Sequence, residues 1–336
     1  TMPLAPEVID GKTYLPLRSV LEAAGAAVAW DGDTGTIAIT YNETRDGMTA
    51  EEVMAKSSAA MKQAGRYKMA VDMQSDIDMT AKMTGEEEET MKMNMDSDIE
   101  AWLQLDPMLM YMKQTMVMNA PASPTPEPQP VTMEMLFNQD GFFMTMPKAG
   151  WLKMDLEGLN MEELMKQSMT QDPTAAMEQI REMGIAFTFA NDQQKNGKDY
   201  WVLHAVMGGD LFKTDYFKQI TKQIPSLDRD VNIQKILEGT DLDFVYSVWI
   251  DKATFHNDYM DLNGKMKLNM DLPATEKNPA GTMHMTTAMQ AAYTMSDYGL
   301  KFTVPEVKNA RDYKEYLAEQ MNELTQVAPQ PDLKQN

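Results

Sequence analysis

The chain has 336 residues, 43% of them hydrophobic, which is enough to bury more than one core. Its 51 acidic and 30 basic residues give a net charge of -21, which excludes nucleic acid and anionic lipid surfaces as electrostatic partners. There is no cysteine, so disulfides, thiolate metal sites and cysteine nucleophiles are excluded together, and no apolar run is long enough for a membrane-spanning helix.

Thr1-Met2-Pro3 carries neither the basic nor the apolar region of an export signal, so any such signal is expected to have been removed already. Residues 6 to 41 read as a β-α-β-β module. A strand follows the Gly11-Lys12 turn, a helix runs from Arg18 to Ala24 with Gly25 as its C-terminal cap, and a hairpin joins Ala27–Trp30 to Thr36–Tyr41 through Asp31-Gly32-Asp33-Thr34-Gly35. A polar connector, residues 42 to 47, leads to a second helix announced by Thr49 and Glu52, a capping-box spacing, and stopped by Gly65.

From there to about Met118 the pattern has period two, with Met69, Val71 and Met73, then Met91, Met93 and Met95, then Met108, Met110 and Met112. These are strands with one methionine face. Glu86 to Glu89 form a solvated hairpin tip between two of them, and the alternating prolines of 120–130 form an extended loop within the domain. Strands are predicted again at 132–137, 142–146, 151–155, 185–190 and 200–207, and helices at 161–168, 173–183, 210–224 and 231–238. A last meander spans Phe244 to Val304, and the tail from Arg311 is helical to about Leu324.

Two stretches carry resemblances. Asp10 to Ala26, closing with Trp30-Asp31 and Thr36-Ile37-Ala38-Ile39, resembles the copper amine oxidase N-terminal-like stalk domain. That family's segment is a spacer of the cell envelope, so the resemblance implies export from a Gram-positive-type bacterium and no copper or oxidase chemistry. Members usually have a strand ahead of the Gly-Lys turn, and this chain starts almost at the turn, which predicts an open sheet edge. Further on, Tyr246-Ser247-Val248-Trp249-Ile250-Asp251-Lys252-Ala253-Thr254 resembles the Trp-Ile-Asp-Lys-x-Thr strand end of LolA and LppX envelope lipoproteins. The resemblance covers roughly residues 48 to 310 and implies a meander curled around a helix with an apolar cavity.

The expected fold is therefore α+β: a stalk-like module at 1–45, a curved antiparallel half-barrel packed on helices at 48–310, and a C-terminal helix and tail at 311–336. The 35 methionines are far above average usage, and three explanations stay open for them. They pack the core, or they line an adaptable apolar pocket, because unbranched thioethers reshape around irregular guests. The third is copper(I), held by Met91, Met93 and Met95 or by Met283, Met285 and Met289, although alternation turns His284 to the opposite face. Exposed thioethers would also scavenge oxidants.

No catalytic constellation is present. His204, His256 and His284 are far apart, no Gly-x-Ser-x-Gly elbow or phosphate loop occurs, and the calcium-like run at Asp228 has Ile233 and Gly239 where glycine and glutamate belong. The chain is expected to be a non-enzymatic, cofactor-free surface protein. One reading is a structural subunit that forms a homo-oligomer or polymer by strand complementation between chains. The alternative is a carrier holding a lipid or other apolar molecule in a cavity lined by Met93, Met110, Met135, Met144, Phe187, Trp249 and Met266.

Overall fold

The structure, a computed structural model, describes residues 7–9, 12–14, 16–23, 26–41, 43–119, 129–146, 149–154, 180–208, 211, 214, 239–272 and 279–319. The chain divides into two compact units, Thr1–Met54 and Ala55–Asn336. In the first, β1 (Glu7–Ile9) pairs antiparallel with β2 (Lys12–Tyr14), with Ile9 opposite Lys12. The leading strand expected to be missing is therefore present, and only its length of three residues hid it from a reading by periodicity. Helix α1 (Leu17–Ala23) is followed by a bond from the Ala26 N–H to the Leu21 carbonyl, the six-to-one closure of a Schellman end. The hairpin of β3 (Ala27–Asp31) and β4 (Thr36–Thr40) turns where Asp31 Oδ1 accepts the Asp33 N–H at 2.9 Å. A small ladder of β5 (Thr44–Arg45) and β6 (Met48–Thr49) leads into α2 (Ala50–Ala64).

The capping box forms as the sequence predicts. The Glu52 N–H donates to Thr49 Oγ1 at 3.2 Å, and the Thr49 N–H donates to Glu52 Oε2 at 2.8 Å. Thr49→Ala is expected to lower the unfolding free energy by about 1 kcal/mol, read by urea titration. The helix ends at Gly65, whose φ of +66° lies in the left-handed region that glycine tolerates.

The second unit is one open sheet. Its strands are β7 (Arg66–Met83), β8 (Glu89–Gln104), β9 (Leu109–Asn119), β10 (Val131–Asn138), β11 (Gly141–Met146), β12 (Gly150–Met154), β13 (Phe187–Phe189), β14 (Gln193–Lys195), β15 (Lys198–Gly208), β16 (Thr240–Asp251), β17 (Asn257–Leu272), β18 (Gly281–Ser296) and β19 (Arg311–Asp312). The order across the sheet is β13-β15-β16-β17-β18-β7-β8-β9-β10-β11-β12-β19, with β14 also on β15. Every pairing is antiparallel except that of β19 with β12. Two meanders, β7 to β12 and β15 to β18, thus meet at the β18–β7 joint.

The described residues are mostly β rather than evenly α+β. The helices expected between β12 and β16 lie almost wholly outside the described residues, as does nearly all of the proline loop. Residues 180–182 are helical, and the tail is strand at 311–312 before its helix at 313–319.

Among the described residues an apolar cluster lies on each face of the sheet. Val71, Leu242, Phe244, Leu262 and Ala291 are buried on one face, with Leu211 packed on them. On the other face Tyr111, Leu136 and Phe143 are buried under Val304, Val307 and Ala310, so the segment after β18 covers the β9–β11 end. Each fully buried aliphatic or aromatic side chain here stabilises by roughly 1.5–3 kcal/mol.

Candidate functional site

Strand register decides which side chains share a face, because alternate residues point to opposite sides. Phe244 stands opposite Gly264, Gly264 opposite Met289, Met289 opposite Ser75, and Ser75 opposite Met95. Following this parity outward gives an inner face of one composition. It carries Met69, Met73 and Met79 of β7 and Met91, Met93 and Met95 of β8. On β9 to β11 it carries Met110, Met112, Met135 and Met144, and on β17 and β18 Met266, Met270, Met283, Met285 and Met289. From Met69 to Ala81, Met110 to Met118, Leu242 to Ile250, Met260 to Leu272 and Met283 to Met295, this parity includes no charged residue.

Over β7 and β8 the opposite face has the reverse character. Asp72, Asp76 and Asp78 of β7 alternate with the inner methionines and face Asp98, Asn94 and Lys92 of β8. All six are exposed. Most inner methionines are half-buried, while Met91 and Met118 are 42% and 47% exposed.

Six of the seven predicted lining residues fall on this inner face: Met93, Met110, Met135, Met144, Phe187 and Met266. Trp249 does not. Its neighbours Val248 and Ile250 are buried on the inner side, so parity turns the indole outward, where it meets Tyr200 and Tyr259 edge-on at 6.0 Å. The reading of Trp249 as a lining residue is corrected by that parity.

The motif around Trp249 is a turn staple. Asp251 Oδ1 accepts the N–H groups of Ala253 at 2.8 Å and Thr254 at 3.2 Å, closing the β16–β17 turn, in which Phe255 has a φ of 60°. Asp251 Oδ2 lies 3.0 Å from Lys198 Nζ, and Asp258 Oδ2 accepts from the same ammonium at 2.6 Å and from the Tyr200 hydroxyl at 2.8 Å. A bulge between Trp249 and Ile250 leaves Asp258 as an extra residue on β17, which puts its carboxylate beside Lys198. Both carboxylates are buried.

Burial alone would raise the Asp251 carboxyl, but Lys198 and the two backbone N–H groups outweigh it and hold it below the usual carboxylate range. Tyr200 is pushed up, first by burial and then by its bond to Asp258. Lys252 completes the staple, donating to Asp192 at 2.6 Å while its ammonium lies 5.2 Å from the Trp201 ring centroid.

The histidines stay apart. His284 pairs with Asn269 at 2.7 Å on the outer face, His256 stacks on Tyr298 with ring centroids 4.0 Å apart, and His204 is exposed. Among the described residues no three His, Asp or Glu side chains gather as a metal site. The calcium-like run at Asp228 lies outside the described residues.

Residues 1–84 match the copper amine oxidase N-terminal domain. Among solved structures, the chain is similar to lipoprotein LppX of Mycobacterium tuberculosis at 11% identity, covering 76% of this chain and 98% of that one with a TM-score of 0.33. LprF of Mycobacterium bovis matches at 12% identity over 76% and 96%, TM-score 0.30. A LolA superfamily protein of Nitrosomonas europaea matches at 10% over 76% and 96%, TM-score 0.21. No curated protein matches the chain. Residues 49–312 match a family of unknown function, DUF6612, and the chain belongs to that family.

Proposed function

We propose that the second unit is a non-catalytic binding module of the bacterial cell envelope that holds an apolar molecule against its inner methionine face, with a stalk-like module at 1–45 as spacer. The observation that carries this reading is the register. It collects most of the methionines onto one uncharged face instead of scattering them through a core. Unbranched thioethers adapt to irregular guests where β-branched side chains would not. Met93 and Met266 belong to one cross-strand row through Ile77 and Thr287, and Met110, Met135, Met144 and Phe187 extend the proposed lining. Among the described residues no helix is long and apolar enough to cross a membrane.

The test is binding of N-phenyl-naphthylamine to delipidated protein, with mass spectrometry of the organic extract of freshly purified material. Saturable dye uptake and a co-purifying lipid are expected. Met93→Glu or Met266→Glu should weaken dye binding by about tenfold or more, since a buried carboxylate there has no partner. No dye uptake by folded protein refutes the reading.

Self-association is favoured by one different observation. With β1 in place the expected leading strand is present, although β1 and β2 pair only with each other among the described residues. Trp30 stands opposite Ile37 on a hairpin face where both, with Ile39, are about half exposed. Contiguous exposed apolar surface of this kind marks an interaction site, and a second copy is the occupant proposed here. Sedimentation of wild type against Trp30→Glu checks it: a concentration-dependent larger species is expected for wild type only.

A further inference from the structure

Ser75 interrupts the thioether lining of the inner face. Ser75 lies at the middle of β7, opposite Met289 on one side and Met95 on the other, and it is 3% exposed. Its hydroxyl is closed to water and has no hydrogen-bond partner among the described residues. A buried, unpaired hydroxyl is a cost that an alanine of nearly the same size would avoid. Two further polar side chains sit diagonally beside it on the same face. Ser97, opposite Met73, is buried and accepts from Gln114 Nε2 at 2.8 Å, and Thr287, opposite Ile77, is buried on the other flank. A small neutral polar island therefore sits within the thioether lining, and its central member has both a donor and two lone pairs unused.

Resting on the reading of this face as an apolar-ligand site, we propose that Ser75 is the polar subsite of that ligand: it hydrogen-bonds one uncharged group, a hydroxyl or an ester or amide carbonyl, of an otherwise hydrocarbon-like molecule. The charge pattern selects the class. No lysine, arginine or histidine shares the face with Ser75 on β7, β8, β9, β17 or β18, so a carboxylate, sulfate or phosphate drawn to this depth would lose its hydration and gain no cation. A hydroxyl or carbonyl loses little and pairs the orphan. The flanking Met289 and Met95 side chains are unbranched and can swing aside to admit a chain, which neighbours branched at Cβ would resist. Ser75 is four residues from Met79, roughly 13 Å along the strand, and Met79 stands opposite the exposed Met91. The hydrocarbon part of the guest lies along that stretch.

The experiment uses the full chain, delipidated, with N-phenyl-naphthylamine as reporter and hexadecanol and hexadecyl sulfate as competitors of equal chain length. Wild type is expected to bind hexadecanol at least about tenfold tighter than the sulfate. Ser75→Ala should lower hexadecanol affinity by about five- to tenfold, while dye affinity stays within about twofold and the melting temperature does not fall. Ser75→Thr, which keeps the hydroxyl, should recover most of the loss. Dye uptake with hexadecanol affinity unchanged in Ser75→Ala overturns the subsite and leaves the apolar-ligand reading standing. Sulfate binding as tight as the alcohol overturns the uncharged class. Failure of wild type to take up dye removes both.

Discussion

Gly264→Ala is expected to be the most damaging single methyl group in the sheet. Gly264 sits on the inner face of β17, opposite Phe244 of β16, and the Phe244 side chain lies over it. A Cβ there would run into the Asp243 carbonyl oxygen and stand 2.7 Å from Phe244 Cα and 2.5 Å from Phe244 Cδ1. Two of these three atoms are backbone and cannot swing aside, so β16 and β17 must separate where Phe244 anchors the inner cluster. Overpacking of this kind costs about 3 kcal/mol. For a unit of this size that corresponds to a fall in melting temperature of roughly 6–12 °C. Gly208→Ala is the control, since a Cβ at that end of β15 meets nothing within 4 Å. A Gly264→Ala protein that melts with the control would show that the strands yield at no cost.

Lys198→Met should be the next largest, and its size should depend on pH. The ammonium is half exposed, but the two carboxylates it joins are buried, so its removal leaves them facing each other without a cation. Breaking a fully buried pair costs several kcal/mol, and the solvent exposure of Lys198 reduces this to about 2 kcal/mol at pH 7. Asp251 has its folded value held down, so its contribution is present above the ordinary carboxyl value, about 3.9, and is lost as pH falls through the lower folded value. Lys198 is raised, chiefly by its bond to Asp258, so its contribution is present below about 10.4 and is lost as pH rises through the folded value. The deficit of the variant should therefore be widest near neutrality and should shrink below about pH 4. Urea titrations at both values check it, and an equal deficit at both would mean that the cluster contributes packing and no charge pairing.

The alternation of methionine with aspartate made the long strands legible, because a period of two over Met69 to Met79 or Met91 to Met95 fits no helix. Membership of the inner face followed from the same parity for residues such as Met93 and Phe187. The motif around Trp249 identifies a strand end without fixing which way its indole points, whereas counting from Phe244 puts an odd-numbered residue of β16 outside. Ser75 was hidden for a different reason. Gln74-Ser75-Asp76 reads as a polar run, and only the pairing with Met289 and Met95 shows that its middle residue points inward. The Lys198 cluster was invisible in sequence because its members come from β15, the end of β16 and a bulge in β17. The strand order could not be read at all, since local patterning says nothing about which meander edge meets which.

That last feature sets when the domain can exist. In the β18–β7 joint, Gly281 lies against Met83 and Ser296 against Lys68, a closure over on the order of 200 residues. Each meander can zip by local hairpins as it leaves the ribosome or the export channel, but the seam between them cannot form until β18 has emerged. At typical synthesis rates the first meander waits roughly 10–40 s. During that interval its edge strand β7 presents unpaired backbone beside bare thioethers, the combination most prone to intermolecular pairing. The aspartates on the other side of the same strand, Asp72, Asp76 and Asp78, oppose that pairing through like-charge repulsion between copies, so the strongly acidic composition protects the nascent chain as well as the finished one.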